Sequence, residues 1–152
     1  MANQQRRDEA SSFTVRPDGV SDMTVAGLGK LSEALEMIER ARGHLYSMHQ
    51  LVGGGDLMLS EAADLLEKAG HGGWAARIRE ELIGLNIIEG RWSFQVVDEF
   101  DDGYWSTFRC LERGAREDLA AGVRHIYEAE MKEQRRTHGR PGHEARPPSA
   151  ER

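Results

Sequence analysis

The chain has 152 residues with 20 Lys/Arg and 26 Asp/Glu, which gives a formal net charge of −6. This length fits one domain that can bury a core without disulfides. Residues 1–123 carry 13 basic and 21 acidic side chains, whereas residues 124–152 carry 7 and 5. An acidic body repels a phosphate backbone, so we do not expect nucleic-acid binding, and any such contact would have to come from the tail.

The single cysteine and the lack of long apolar segments indicate the cellular compartment in which the protein is expected. Cys110 is the single cysteine of the sequence, so an intrachain disulfide is excluded and a reducing environment is favoured. No apolar run approaches the 18 residues of a membrane span, and the N-terminus lacks the apolar stretch of a signal peptide. We therefore expect a cytoplasmic protein without membrane contact, in which Cys110 is an inert thiol.

The first half of the chain predicts a polar arm followed by three helices. Residues 1–22 carry too few apolar groups to offset the entropy of ordering, so they are expected to be a disordered arm. Glycines separate the predicted helices, which run over 24–52, 57–69 and 74–88. The triple glycine 53–55 is expected to end the first helix, Asp56 to cap the second, and Gly90 to close the third.

The stretch 92–108 is the most distinctive, because it holds six of the ten aromatic residues. Helical spacing predicts a long helix from Phe94 to Ala120, with Ser93 as its N-cap. Its apolar face, expected to be buried, consists of Val97, Phe100, Tyr104, Phe108, Leu111, Ala115 and Leu119. The alternative is a short strand in which Trp92, Phe94 and Val96 alternate.

The C-terminal part predicts an extension and a tail. Residues 123–136 form a helical stretch that either continues through Gly122 or bends there, and residues 137–152 form a disordered basic tail rich in Pro and Gly. The fold class is therefore all-α, an up-and-down four-helix bundle over residues 23–136 with a C-terminal helical extension. The extension has a narrow apolar face that needs a packing partner, so it is the predicted interaction surface. Its residues are Ile126, Tyr127, Met131, Arg135, Arg136 and Arg140.

Two polar side chains on the first helix fall within its apolar stripe. Arg42 and His49 lie among the leucines, and a guanidinium without a counter-ion in a core would cost several kcal/mol. Asp101 is the predicted partner of Arg42, and Glu81 is the second candidate. This centre of Arg42, His49, Glu81 and Asp101 has three interpretations: a packing and specificity device, a pocket for an anion or a proton carrier, or an Arg42 that extends to the surface.

No motif fixes a reaction. The Glu-x-x-His pairs of di-iron bundles are absent from the sequence, and Ser, His and Asp form no recognisable nucleophile signature. We therefore predict no cofactor, no metal and no catalytic residue. The expected function is a non-catalytic interaction or regulatory module, homo-oligomeric and open to a protein partner through its extension. The alternative is a ligand- or metal-binding helical-bundle enzyme that uses the Arg42 centre.

Two segments carry a resemblance to a known group of proteins. GRWSFQVVDEFDDGYW at 90–105 and YEAEMKEQRRTHGRPGHE at 127–144 resemble uncharacterised small helical proteins of high-GC bacteria. The resemblance would cover most of residues 24–144. It implies a bacterial cytosolic protein and assigns no activity and no catalytic residue.

Overall fold

The structure is a computed structural model that describes residues 16–145. Its helices are α1 (Asp22–Lys68), α2 (Gly72–Glu81), α3 (Ser93–Phe100), α4 (Ser106–Ala120) and α5 (Ile126–Arg135). A π-helical turn, Asp101–Trp105, joins α3 directly to α4. The described residues contain no strand, so the all-α fold class is confirmed, whereas the up-and-down four-helix bundle is not. The parts of the predicted arm and tail at 1–15 and 146–152 lie outside the described residues.

Helix α1 runs without a break through the three glycines 53–55, where the sequence predicted its end. Asp56 accordingly lies inside a helix, so its predicted role as an N-cap is wrong. Each interior glycine costs a helix about 1 kcal/mol relative to alanine. The helix persists because side chains on both sides of the glycines, Val52 and Leu59, are partly buried in the same packing face.

The packing face of α1 follows a seven-residue repeat. Its buried and half-buried positions alternate in steps of three and four, and we call this set the seam: Leu28, Leu31, Leu35, Ile38, Arg42, Leu45, His49, Val52, Asp56, Leu59, Ala63 and Leu66. A mean spacing of 3.5 residues keeps one face of a long helix against its neighbour, as in coiled coils. One line of the seam, from Leu31 to Leu66, is entirely aliphatic.

The described part of the chain divides into two compact units, the first with residues 16–35 and 109–145 and the second with residues 36–108. In the described part of the first unit, Val25, Ala120 and Ile126 form a small buried core. Arg16 donates hydrogen bonds of 2.7 Å to both carboxylate oxygens of Glu130. Residues 16–22, assigned from the sequence to a disordered arm, are thus held by an ion pair and the first turn of α1.

In the second unit, α1 and α3 run antiparallel, since the partners of Arg42 and His49 are Asp101 and Ser93. Helix α2 ends at Glu81, earlier than predicted. An isolated antiparallel bridge joins Ile88 to Arg91. The alternative of a strand from residue 92 is wrong, because α3 begins at Ser93.

The π-helical turn changes which face of the aromatic helix is buried. One extra residue per turn rotates everything after it by roughly one residue step of 100°. Val97 is buried before the turn, Trp105 is half-buried at its last position, and Phe108 is half-buried after it. Beyond Phe100 the predicted face is therefore wrong at Tyr104, Leu111 and Leu119, which are more than half exposed, whereas its members Phe108 and Ala115 are half-buried.

The same rotation brings an acid into the interior of the first unit. Glu112 is only 5% exposed. It accepts a hydrogen bond of 2.9 Å from the Ser32 hydroxyl and forms an ion pair with Arg116 one turn along α4. The sequence pattern placed Leu111 at this inward position, and Glu112 was missed.

Helix α4 ends at Ala120, and the extension does not continue it. Ala121 and Gly122 adopt positive φ values of 49° and 73°, and the Gly122 amide donates to the Arg116 carbonyl at 3.0 Å. Left-handed residues with such a bond close a helix. The chain then continues into α5, and turns follow at residues 138–139 and 141–142.

Candidate functional site

Three polar residues interrupt the seam of α1 at intervals of seven. Arg42, His49 and Asp56 occupy the same position in successive repeats, and we call them the polar ladder. Each forms a hydrogen bond with a partner in the second unit, and we call each such pair a rung. Polar residues at such seam positions fix the register of packed helices at a cost in stability.

The first rung joins Arg42 to Asp101. The Nε and Nη2 atoms of Arg42 each donate a hydrogen bond of 2.7 Å, one to each oxygen of the Asp101 carboxylate. The side chains are 27% and 18% exposed, so the pair lies at the edge of the interior rather than deep within it. The predicted partnership is confirmed, but its predicted full burial is not.

Two aromatic rings enclose the Arg42 guanidinium. Its Cζ lies 4.1 Å from the centroid of Trp105 and 4.9 Å from that of Tyr46. The Tyr46 hydroxyl accepts from Arg42 at 3.2 Å and donates to Asp101 at 3.3 Å. Planar guanidinium groups stack on aromatic faces while their edges bind carboxylates, and a lysine cannot reproduce both contacts.

The ion pair also sets the protonation of the acid. Hydrogen bonds from Arg42 hold the pKa of the Asp101 carboxyl below its usual value, against the opposing effect of desolvation. Asp101 is therefore charged at neutral pH, and Arg42 has its charge compensated inside the protein. This favours the packing and specificity interpretation over an anion pocket.

The second rung joins His49 to Ser93. The Nδ1 atom of His49 lies 2.8 Å from the Ser93 hydroxyl, and Ser93 is only 8% exposed. Ser93 is thus the first residue of α3 and a histidine partner, so its predicted role as an N-cap is wrong. The amide of Trp92 is satisfied by the Gln95 side chain at 2.8 Å.

The third rung joins Asp56 to the loop after α2. The Gly84 amide donates to the Asp56 carboxylate at 3.0 Å, and Gly84 adopts a positive φ of 76°. An open cleft lies beside this rung, lined by Val52, Gly53, Asp56, Gly84, Leu85, Ile87, Trp92 and Ser93. The cleft borders the second rung through Ser93 and the third through Asp56 and Gly84.

Glu81 does not join this centre. It is exposed at the end of α2, where it accepts a hydrogen bond of 2.9 Å from Arg77. The sequence pattern does not reveal the partner roles of Asp56 and Ser93, because both residues follow predicted turns and resemble helix caps. The interval of seven residues from Arg42 through His49 to Asp56 is the signal that could have found the third rung.

Of the six residues predicted for the interaction surface, Ile126 and Arg136 are largely covered and the other four are exposed. Ile126 is 6% exposed within the core of the first unit, so its predicted place on an open surface is wrong. Tyr127 and Met131 are 60% and 38% exposed. Arg135 and Arg140 are exposed, whereas Arg136 donates to Glu133 at 2.9 Å and is largely covered.

Within residues 16–145, no three His, Cys, Asp or Glu side chains are grouped closely enough to hold a metal ion. In the same part of the chain, no helix is long and apolar enough to cross a membrane. Cys110 is exposed. No family model, curated protein or solved structure matches the chain.

Proposed function

We propose that the chain is a non-catalytic helical module that works as a homo-oligomer, with α1 as its association surface. The observation that carries this is an uncovered apolar line on α1, beside the seam. Its large members, Met37, Leu51, Met58 and Leu65, are 56%, 74%, 70% and 58% exposed. Scattered surface leucines are ordinary, but a regular line along one helix marks an interaction site.

We call this line, together with the small residues beside it, the association stripe. The large members recur at intervals of seven or fourteen, with His44 at the remaining position. The neighbouring line of the stripe holds the small residues Ala41, Gly55 and Ala62, with the half-buried Met48 at the remaining position. Small side chains let a second helix approach closely, and the large ones then fill the space between the helices. The stripe is therefore suited to packing against another helix.

The buried residues of the described chain support this proposal. The hydrophobic side chains that are buried in residues 16–145 are Val25, Ala63, Ala75, Val97, Ala120 and Ile126, and none is larger than isoleucine. The large members of the stripe expose roughly 500 Å² per copy, if a fully exposed large side chain offers about 200 Å². Two copies would bury about 1,000 Å², which reaches the lower limit for a specific interface.

The bundle expected from the sequence fits such an assembly. Each copy would contribute its antiparallel pair, α1 with α3 and α4, and two pairs would complete a four-helix bundle. The polar ladder would act within each pair, because a few polar groups at seam positions specify one register. Tyr127 and Met131 of the extension, which belong to the first unit, are proposed as a separate surface for a further protein partner.

Two adjacent residues provide a test. Met58 lies on the association stripe, whereas Leu57 points to another side of α1 and is 76% exposed. A Met58→Glu substitution should convert the oligomer to a monomer in sedimentation equilibrium, and Leu57→Glu should leave the mass unchanged. A wild-type chain that is monomeric at every concentration would contradict the proposal.

A further inference from the structure

We infer that two copies of the chain associate through their α1 helices in antiparallel orientation, with Met48 of each copy packed against Leu51 of the other. This rests on the proposed function and specifies its partner, orientation and register. The two-fold axis would pass between His49 and Gln50. Three observations carry it: the order of large and small residues, the position of one pair of opposite charges, and the exposure of the stripe.

The order of side-chain sizes favours the antiparallel orientation. In this register each small residue of the association stripe faces a large one of the second copy: Ala41 with Met58, Gly55 with His44, and Ala62 with Met37. A parallel pairing would instead place Leu51 on Leu51 and Gly55 on Gly55. That arrangement would alternate crowded layers with voids, and both are unfavourable.

The charges beside the stripe select the register. Arg40 and Glu61 occupy equivalent positions of the repeat on the edge of the stripe away from the seam, and both are exposed. In the inferred register, Arg40 of each copy lies next to Glu61 of the other, so the two-fold axis creates the contact twice. A shift of one repeat would place Arg40 beside either Lys68 or Gly54. The first alternative is repulsive, and the second loses the ion pair.

Charge reversal tests this contact. Arg40→Glu and Glu61→Arg should each raise the dissociation constant of the dimer about tenfold, because two exposed ion pairs become two repulsions. An equimolar mixture of the two variants should form a heterodimer with near wild-type affinity, since every contact is again between opposite charges. Ser60→Arg, on the side of α1 opposite the stripe and exposed, is the control and should leave the affinity unchanged.

Distances measured between spin labels test the orientation independently. In a Cys110→Ser background, labels on Ser47 should lie close together, with only about 8 Å between them along the helix axis. Labels on Glu36 should be separated by about 40 Å along that axis. In a parallel dimer the two positions would give the same short distance.

The outcomes separate this inference from the proposed function. A dimer whose mixed charge variants do not regain affinity, or whose Glu36 labels lie as close as those on Ser47, overturns the antiparallel register and leaves self-association standing. A chain that stays monomeric overturns both. Recovery in the mixture together with the long Glu36 distance supports the inference.

Discussion

Arg42 donates two parallel hydrogen bonds to Asp101 across 59 residues of sequence, and its guanidinium also lies 4.1 Å from the centre of the Trp105 ring. This combination ties α1 to the π-helical turn that follows α3. It is the point at which the polar ladder and the rotated aromatic helix meet. The contact therefore determines how the two helices of the second unit are aligned.

A double-mutant cycle should reveal this coupling. Arg42→Ala and Asp101→Ala should each lower the urea midpoint of unfolding, and the double variant should lose much less than the sum of the two. Arg42→Lys should not restore the midpoint, because an ammonium lacks the planar fork and the stacking surface. The exposed pair Arg77–Glu81 is the matched control, for which the coupling should be smaller. Equal coupling for the two pairs would contradict the proposed alignment role.

The same pair predicts a loss of stability in acid. Because the pKa of Asp101 is lower in the folded chain than in the unfolded chain, the unfolded state binds more protons as the pH falls. The stabilisation from Asp101 is therefore complete above the unfolded pKa of about 4 and disappears as the pH drops through the lower folded value.

Urea unfolding at a series of pH values below about 5 should show this dependence. Asp101→Asn should make the free energy of unfolding less dependent on pH below about 5. Arg42→Ala should weaken this pH dependence as well, because the guanidinium is the principal cause of the lowered pKa of Asp101. Retention of the full wild-type dependence by Arg42→Ala would show that another group lowers the pKa of Asp101.

The sequence predicted the helical class and the Arg42–Asp101 pair, because both follow from local periodicity and from the cost of an unpaired buried charge. The prediction from sequence failed where packing or a change in helix geometry outweighs the local preference of a residue. At Gly53 the local cost of glycine was taken as decisive, whereas packing on both sides carries the helix through. At Leu111 the error came from an assumed uniform helix, since the π-helical turn changes the phase without a recognisable sequence signal.

The glycines of α1 and of the loop after α2 should respond in opposite directions to alanine. Gly54 is helical, and a Cβ there would meet no heavy atom within 4 Å. Gly54→Ala should therefore stabilise the chain by about 0.5–1 kcal/mol. Gly84 has a φ of 76°, so Gly84→Ala should destabilise it by about 1–2 kcal/mol and weaken the contact with Asp56. Thermal unfolding measures both, and a destabilising Gly54→Ala would contradict a continuous α1.

The π-helical turn should behave as a one-residue insertion in an α-helix. Deletion of Gly103, which lies in the turn and is exposed, should convert the turn to α-helix while Val97 and Phe108 keep their inward faces. The free energy of unfolding should stay within about 1 kcal/mol of the wild type. Deletion of Arg113, also exposed but in regular helix, is the control and should rotate Arg116 and Ala120 out of their positions. Urea unfolding with far-UV circular dichroism distinguishes them, and equal losses for the two deletions would show that the turn is not the origin of the change in phase.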